Sequence, residues 1–225
     1  AAYQPKTGAS VIFQKDSGGG EFYQLYRLDL VDGRTTLLTD GKSRHETFIW
    51  SRRGDRVAYT STRRNGTDAD IYVLDPSNPA TDRKVVDVAG GGWYPLDWSP
   101  DDGALLVQEY SSIAKSRLWL VDIAAGTKTP LTPDEEVAYG FAVFSGDGRG
   151  IFATNDKGEE FLQLVQIDRA SGAMSPIETG INWSIEEIAL SPDGRSLAFT
   201  TNQAGLSMLH VLDTALEQRR LKSEN

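Results

Sequence analysis

Apolar and polar positions alternate in short bursts along this chain, and the bursts return at a fixed interval. In Leu190-Ser191-Pro192-Asp193-Gly194-Arg195-Ser196-Leu197-Ala198-Phe199-Thr200 an apolar run ends, a polar turn follows, and a second run begins. Pro192 presets φ at the first turn position, and Asp193-Gly194 supply a polar cap and a permissive backbone. Leu197 and Phe199 alternate with Ala198 at the strand period of two. The turn recurs as Trp50-Ser51-Arg52-Arg53-Gly54, Trp98-Ser99-Pro100-Asp101-Asp102-Gly103 and Phe144-Ser145-Gly146-Asp147-Gly148, with a degenerate copy at Tyr3-Gln4-Pro5-Lys6-Thr7-Gly8. Its serines are spaced by 48, 46 and 46 residues.

A second marker keeps the same phase. Apolar runs end in aspartate at Asp29, Asp75, Asp122, Asp168 and Asp213, with spacings of 46, 47, 46 and 45. Two markers sharing one period, with room for four short strands per unit, predict a β-propeller. The expected fold is all-β, built from four-stranded antiparallel blades, with about five repeats over 1–40, 44–88, 92–133, 138–179 and 183–222. Within a repeat, strand A precedes the turn (Phe48-Ile49-Trp50) and strand B follows it (Arg56 to Ser61). Strand C carries the aspartate and strand D is short, as at Thr35 to Thr39. Asn65-Gly66, Asp156-Lys157-Gly158 and Gln203-Ala204-Gly205 are hairpin signals between strands B and C. The first repeat is expected to lack a strand A before Tyr3. Strands such as Ile71-Tyr72-Val73-Leu74 are apolar on both sides, which suits sheets packed face to face.

Composition adds mainly exclusions. The chain has 225 residues, 39% hydrophobic and 24% charged, enough for a sizeable core. No run of 18 apolar residues suggests a membrane span. The absence of cysteine excludes disulfides and thiolate chemistry, and suits the cytoplasm or the periplasm. The net charge of −9, without a basic stripe, argues against nucleic acid. The opening Ala1-Ala2-Tyr3 has no signal-peptide pattern and reads as a boundary inside a longer protein.

The longer strings carry a resemblance. They are Tyr59-Thr60-Ser61-Thr62-Arg63-Arg64-Asn65-Gly66 with Asp70-Ile71-Tyr72-Val73, Phe13-Gln14-Lys15-Asp16 with Glu21-Phe22-Tyr23-Gln24-Leu25-Tyr26, and Gly91-Gly92-Trp93 leading to Asp97-Trp98-Ser99-Pro100. With the repeated turns, these make nearly the whole chain resemble the N-terminal propeller of the prolyl oligopeptidase family of serine peptidases. The dipeptidyl-peptidase and acylaminoacyl-peptidase branches are the most similar. TolB-like periplasmic propellers share the turn motif, so a protein-binding module is the alternative. The resemblance implies a propeller of seven or eight blades that caps an α/β-hydrolase domain and admits short peptides. It implies as partners that domain, the remaining blades and short peptide substrates, and no cofactor.

The chemistry is sparse. A hydrolase nucleophile needs Gly-x-Ser-x-Gly. Ser10, Ser43, Ser196 and Ser207 have glycine two residues before, but Ile12, His45, Ala198 and Leu209 two residues after. No catalytic residue is therefore assigned, and the hydrolase half is expected outside this sequence. His210 reads as a packed strand residue, and His45 as a solvated or turn residue with a substrate-facing role as the alternative. The family's dipeptidyl branch binds a substrate's free amino group with paired glutamates. Glu186-Glu187, opening a strand A, is the candidate pair, set against a channel-facing structural role for the same two residues; Glu159-Glu160 and Glu135-Glu136 read as solvated loop residues. The periodic aspartates read as turn caps. Asn65 to Asp70 resembles part of a calcium loop but lacks the distal glutamate, so no metal site is assigned. Trp50 and Trp98 read as wedges between blades. An unclosed set of blades would leave outer faces at Val11, Phe13 and Leu25 in the first repeat and at Leu197, Phe199, Leu209 and Val211 in the fifth. Missing blades or a second copy in a homo-oligomer would have to cover them; the alternative is that the five blades tighten into a closed ring.

Overall fold

The computed structural model describes residues 1–16 and 18–215. Nineteen strands form five antiparallel sheets, each from consecutive strands. The first contains β1 (Ala2–Tyr3), β2 (Ser10–Lys15), β3 (Gln24–Asp29) and β4 (Thr35–Leu37). The second contains β5 (Phe48–Trp50), β6 (Val57–Ser61), β7 (Asp70–Asp75) and β8 (Asn78–Val86). The third contains β9 (Trp93–Trp98), β10 (Ala104–Ser112), β11 (Lys115–Asp122) and β12 (Thr127–Pro130). The fourth contains β13 (Tyr139–Phe144), β14 (Gly150–Asn155), β15 (Gln163–Asp168) and β16 (Met174–Pro176). The fifth contains β17 (Ile185–Leu190), β18 (Ser196–Gln203) and β19 (Leu206–Asp213). The fourth strand expected for the fifth repeat falls outside the described residues.

One expectation is corrected at the start. Ala2 and Tyr3 pair with Ile12 and Val11, so the first sheet does have an inner strand. Two residues are too few to show alternation, and the signal is missed for that reason. β8 is also longer than expected, because two register irregularities against β7 let pairing continue back to Asn78.

The chain divides into two compact units, Ala1–Glu109 with Val121–Thr129, and Tyr110–Leu120 with Pro130 onward. In the first, Ile12, Leu25 and Leu38 of the first repeat are buried together with Val57, Tyr59, Tyr72 and Leu74 of the second. In the second, Phe152, Leu164 and Ile177 of the fourth repeat are buried with Ile185, Ile188, Leu197 and Phe199 of the fifth. Burying each such large side chain contributes roughly 1.5–3 kcal/mol, so these sandwiched faces hold neighbouring sheets together.

This packing corrects the list of outer faces. Leu25 is on the side of the first sheet that meets the second, and Leu197 and Phe199 are on the side of the fifth that meets the fourth. Cross-strand pairing separates them from the rest: Phe199 sits opposite His210, whereas Leu209 and Val211 sit opposite Thr200 and Ala198 on the other side.

The inner strands are also locked by their tryptophans. Trp50 Nε1 donates to the Ala2 carbonyl at 3.2 Å, and Trp98 Nε1 donates to the Ile49 carbonyl at 3.3 Å. Each indole reaches back one repeat, so both act as wedges between sheets.

The A–B turns owe their form to serine. Ser145 Oγ donates to Asp147 Oδ1 at 2.6 Å and accepts from Gly150 N at 2.9 Å. Ser99 does the same with Asp101 and Ala104, and Ser191 with Asp193 and Ser196. In the second repeat Arg52-Arg53 replaces the usual pair, and Ser51 Oγ donates instead to Asp55 at 2.9 Å. Three residues after each serine the backbone turns left-handed, at Gly54, Asp102, Gly148 and Gly194. The third repeat therefore uses Asp102 (φ 58°), not Gly103, at that position.

Candidate functional site

The second unit brings the candidate glutamates to an exposed surface through a β-bulge. Ile185 pairs with Thr201 and Glu187 with Thr200, so Glu186 is the extra residue. Ile185 and Ile188 are buried and both glutamates between them are exposed. A regular strand would send Glu186 and Glu187 to opposite sides. Neither carboxylate has an ion-pair partner among the described residues.

The strand is anchored at its start by the preceding hairpin loop. Ile185 N donates to the Leu162 carbonyl at 3.0 Å, and the rings of Phe161 and Trp183 stack with centroids 6.3 Å apart. Phe161 also lines a cavity of about 500 Å³, whose wall includes Glu159, Glu160, Glu178, Leu164 and Ile177. Glu159 and Glu160 are exposed, as expected for loop residues. Glu135 is not simply solvated: it is half-buried and accepts from Lys157 Nζ at 2.7 and 2.9 Å. The cavity therefore has an apolar floor with Lys157 and three glutamates on its wall, and Trp183, Glu186 and Glu187 are not among the residues that line it. The two exposed carboxylates of Glu186 and Glu187 suit an ammonium group.

The histidines differ. His210 stacks on Phe199 with centroids 5.0 Å apart, and its Nε2 lies 3.1 Å from Thr201 Oγ1. His45, read from sequence as a solvated or turn residue, is fully buried. Its Nε2 lies 3.2 Å from Asp40 Oδ1, and its ring is 5.6 Å from that of Tyr59. The correction has a physical cause: Asp40 supplies the polar partner that lets an imidazole leave water. Burial pushes the His45 pKa down against the opposing pull of Asp40. Asp40 is itself pushed up by burial, but bonds from Ser43, Lys42 and His45 outweigh this and hold it well below the carboxylate range. Beside them Tyr59 Oη donates to Asp82 Oδ1 at 2.7 Å, and Arg63 pairs with Asp82 while lying over the Tyr72 ring. The sequence carried no signal for this network, since its members come from four separate segments.

The remaining candidates are structural. Asp29, Asp75, Asp122, Asp168 and Asp213 each accept a backbone N–H two or three residues ahead, as turn caps do. In the calcium-like loop, Arg64 bonds Asp68 at 2.8 Å and Asp70 at 2.6 Å, so a guanidinium holds the charge that a cation would. Among the described residues, no group of three acidic or histidine side chains is placed to hold a metal. No helix among the described residues is long and apolar enough to cross a membrane.

Five consecutive antiparallel sheets of three or four strands match known propellers. Over 94% of this chain and 75% of the other, the fold superposes on a putative TolB from Agrobacterium tumefaciens with a TM-score of 0.70 at 20% identity. The fold is a β-propeller. It is similar to the folds of TolB and of a prolyl endopeptidase. In sequence, the chain is 29% identical over 170 residues to the uncharacterized peptidase YuxL of Bacillus subtilis, covering 76% of this chain and 24% of that protein. It is 28% identical over 146 residues to dipeptidyl-peptidase 5 of Porphyromonas gingivalis, covering 60% of this chain and 21% of that protein. The matched part is thus a quarter or less of either peptidase. No family model matches the chain.

Proposed function

We propose that this propeller is the non-catalytic, substrate-gating part of a serine peptidase of the prolyl oligopeptidase type. Its partner is then a hydrolase domain outside these 225 residues, and its ligands are short peptides. The observation that carries this reading is the sequence similarity to two peptidases, in a chain without a nucleophile elbow. In this role the second unit meets the substrate's amino terminus, with Glu186 and Glu187 accepting charge-assisted hydrogen bonds from the ammonium.

Titration of the chain with a dipeptide amide, free or N-acetylated, followed by NMR, tests the reading. The free amine should bind at least tenfold more tightly. Joint Glu186→Gln and Glu187→Gln replacement should abolish the difference, whereas Glu159→Gln with Glu160→Gln should leave it. Equal binding of the two peptides would refute the assignment. A second reading, a TolB-like protein-docking module, is supported by the fold match over 94% of the chain. It predicts no preference for the free amine.

A further inference from the structure

At one position the five repeats disagree. Four residues before the strand-ending aspartates stand Leu25, Ile71, Leu118, Leu164 and Leu209. The first four are 0% exposed; Leu209 is 70% exposed. Val211, on the same side of β19, is 67% exposed. Four examples of one position show that it is built to be covered.

The covering surface is visible within each unit. Leu25 is buried with Val57 and Tyr59 of β6 and with Tyr72 and Leu74 of β7. Leu164 is buried with Leu197 and Phe199 of β18. In both cases the cover is the next sheet's second strand, carrying an aliphatic residue and then an aromatic one two positions on. In the first unit it extends to an aromatic and an aliphatic residue on the third strand.

The chain carries that surface once more. Val11 and Phe13 of β2 pair with Leu28 and Tyr26 of β3, in the register by which Val57 and Tyr59 pair with Leu74 and Tyr72. Phe13 stacks on Tyr26 at 5.5 Å, as Tyr59 does on Tyr72 at 5.7 Å. In the second sheet all four residues are buried, but in the first all four are only half-buried.

We propose that the Leu209–Val211 face of β19 docks head to tail on the Val11–Phe13 face of a second copy of this chain. The proposal is independent of the peptidase reading. The two faces differ, so the contact is heterologous and can repeat from copy to copy. One sheet face covers roughly 300 Å². The contact then buries about 600 Å² in total, at the weak and transient end of protein interfaces, so it should depend strongly on concentration.

Sedimentation velocity of the chain over about 1–200 µM reads it directly. The average mass should rise from 24.6 kDa towards its multiples. Leu209→Asp and Phe13→Asp should each hold the chain as a monomer, whereas an equimolar mixture of the two should form a dimer and nothing larger. Each variant keeps one intact face, and the two are complementary. If Phe13→Asp loses its circular dichroism signal, Val11→Lys replaces it, and Val211→Asp serves as a second exposed probe. A wild-type chain that stays monomeric throughout, as when another element covers the face, would overturn the proposal. So would association unchanged in Leu209→Asp, or a mixture that remains monomeric.

Discussion

The backbone N–H of Arg52 donates to Asp102 Oδ1 at 2.7 Å, and this bond ties the turn of the second repeat to the turn of the third. Arg53 N donates to the other carboxylate oxygen at 3.1 Å. The Asp102 side chain is fully buried and its backbone is left-handed, where the other turns have glycine. A conformation costing about 1 kcal/mol is thus held by two charge-assisted bonds to a neighbouring repeat.

Replacing Asp102 separates these terms. Asp102→Ala should cost about 2–4 kcal/mol, because two backbone donors lose their acceptor while the left-handed backbone remains. Asp102→Gly should cost about 1 kcal/mol less, because glycine accepts that φ. Urea unfolding midpoints would show the ranking, and equal losses would contradict it.

The turn serines should follow their burial. Ser99→Ala and Ser145→Ala each leave a buried N–H, of Ala104 or Gly150, without its hydroxyl acceptor, and should lose about 1–2 kcal/mol. Ser191 makes the same bonds nearer the surface, so Ser191→Ala should lose less than either. Thermal unfolding of the three variants tests the order.

Two adjacent repeats touch through glycine. A Cβ on Gly194, whose φ is +71°, would stand 2.7 Å from the Gly146 Cα, whereas one on Gly158, at φ +76°, would meet nothing within 4 Å. Gly158→Ala should therefore cost about 1 kcal/mol for its backbone alone. Gly194→Ala should cost measurably more in the same urea titration.

Acid should act through His45. Burial holds its folded pKa below the unfolded value near 6.5, with Asp40 and Asp82 opposing the shift and Arg63 adding to it. The unfolded chain then binds the proton first, so stability is complete above about pH 6.5 and declines as pH falls towards the folded value. His45→Gln should remove this slope. The loss tied to Asp40, whose pKa is also lowered, should remain and should begin only below its ordinary value of 3.8. Urea midpoints between pH 4.5 and 7.5 would show a wild-type slope absent from the variant.

The period and the turns were legible in the sequence because they depend on local chemistry: proline, aspartate and glycine at fixed offsets, and apolar residues at alternate positions. Asp102 was not legible, since its carboxylate serves backbone donors some fifty residues earlier. His45 misled for a similar reason; a loop position predicts solvent, and only the folded chain brings Tyr59 and the Arg63–Asp82 pair beside it. For Glu186 a signal was present. Two acids between Ile185 and Ile188 break the period of two, and a bulge is how a strand accommodates that pattern. The two sides of each sheet could not be separated without pairing, and that is why Leu25 was grouped with Val11 and Phe13, and Leu197 and Phe199 with Leu209 and Val211.

As proposed, this propeller serves peptide hydrolysis without performing it. Incubating the purified chain with a dipeptide p-nitroanilide bearing a free amino terminus tests that most directly, with binding followed by NMR in the same samples. The account predicts saturable binding through the ammonium and no release of p-nitroaniline above the buffer rate. Release that scales with the chain's concentration and stops with a serine-directed fluorophosphonate would contradict it.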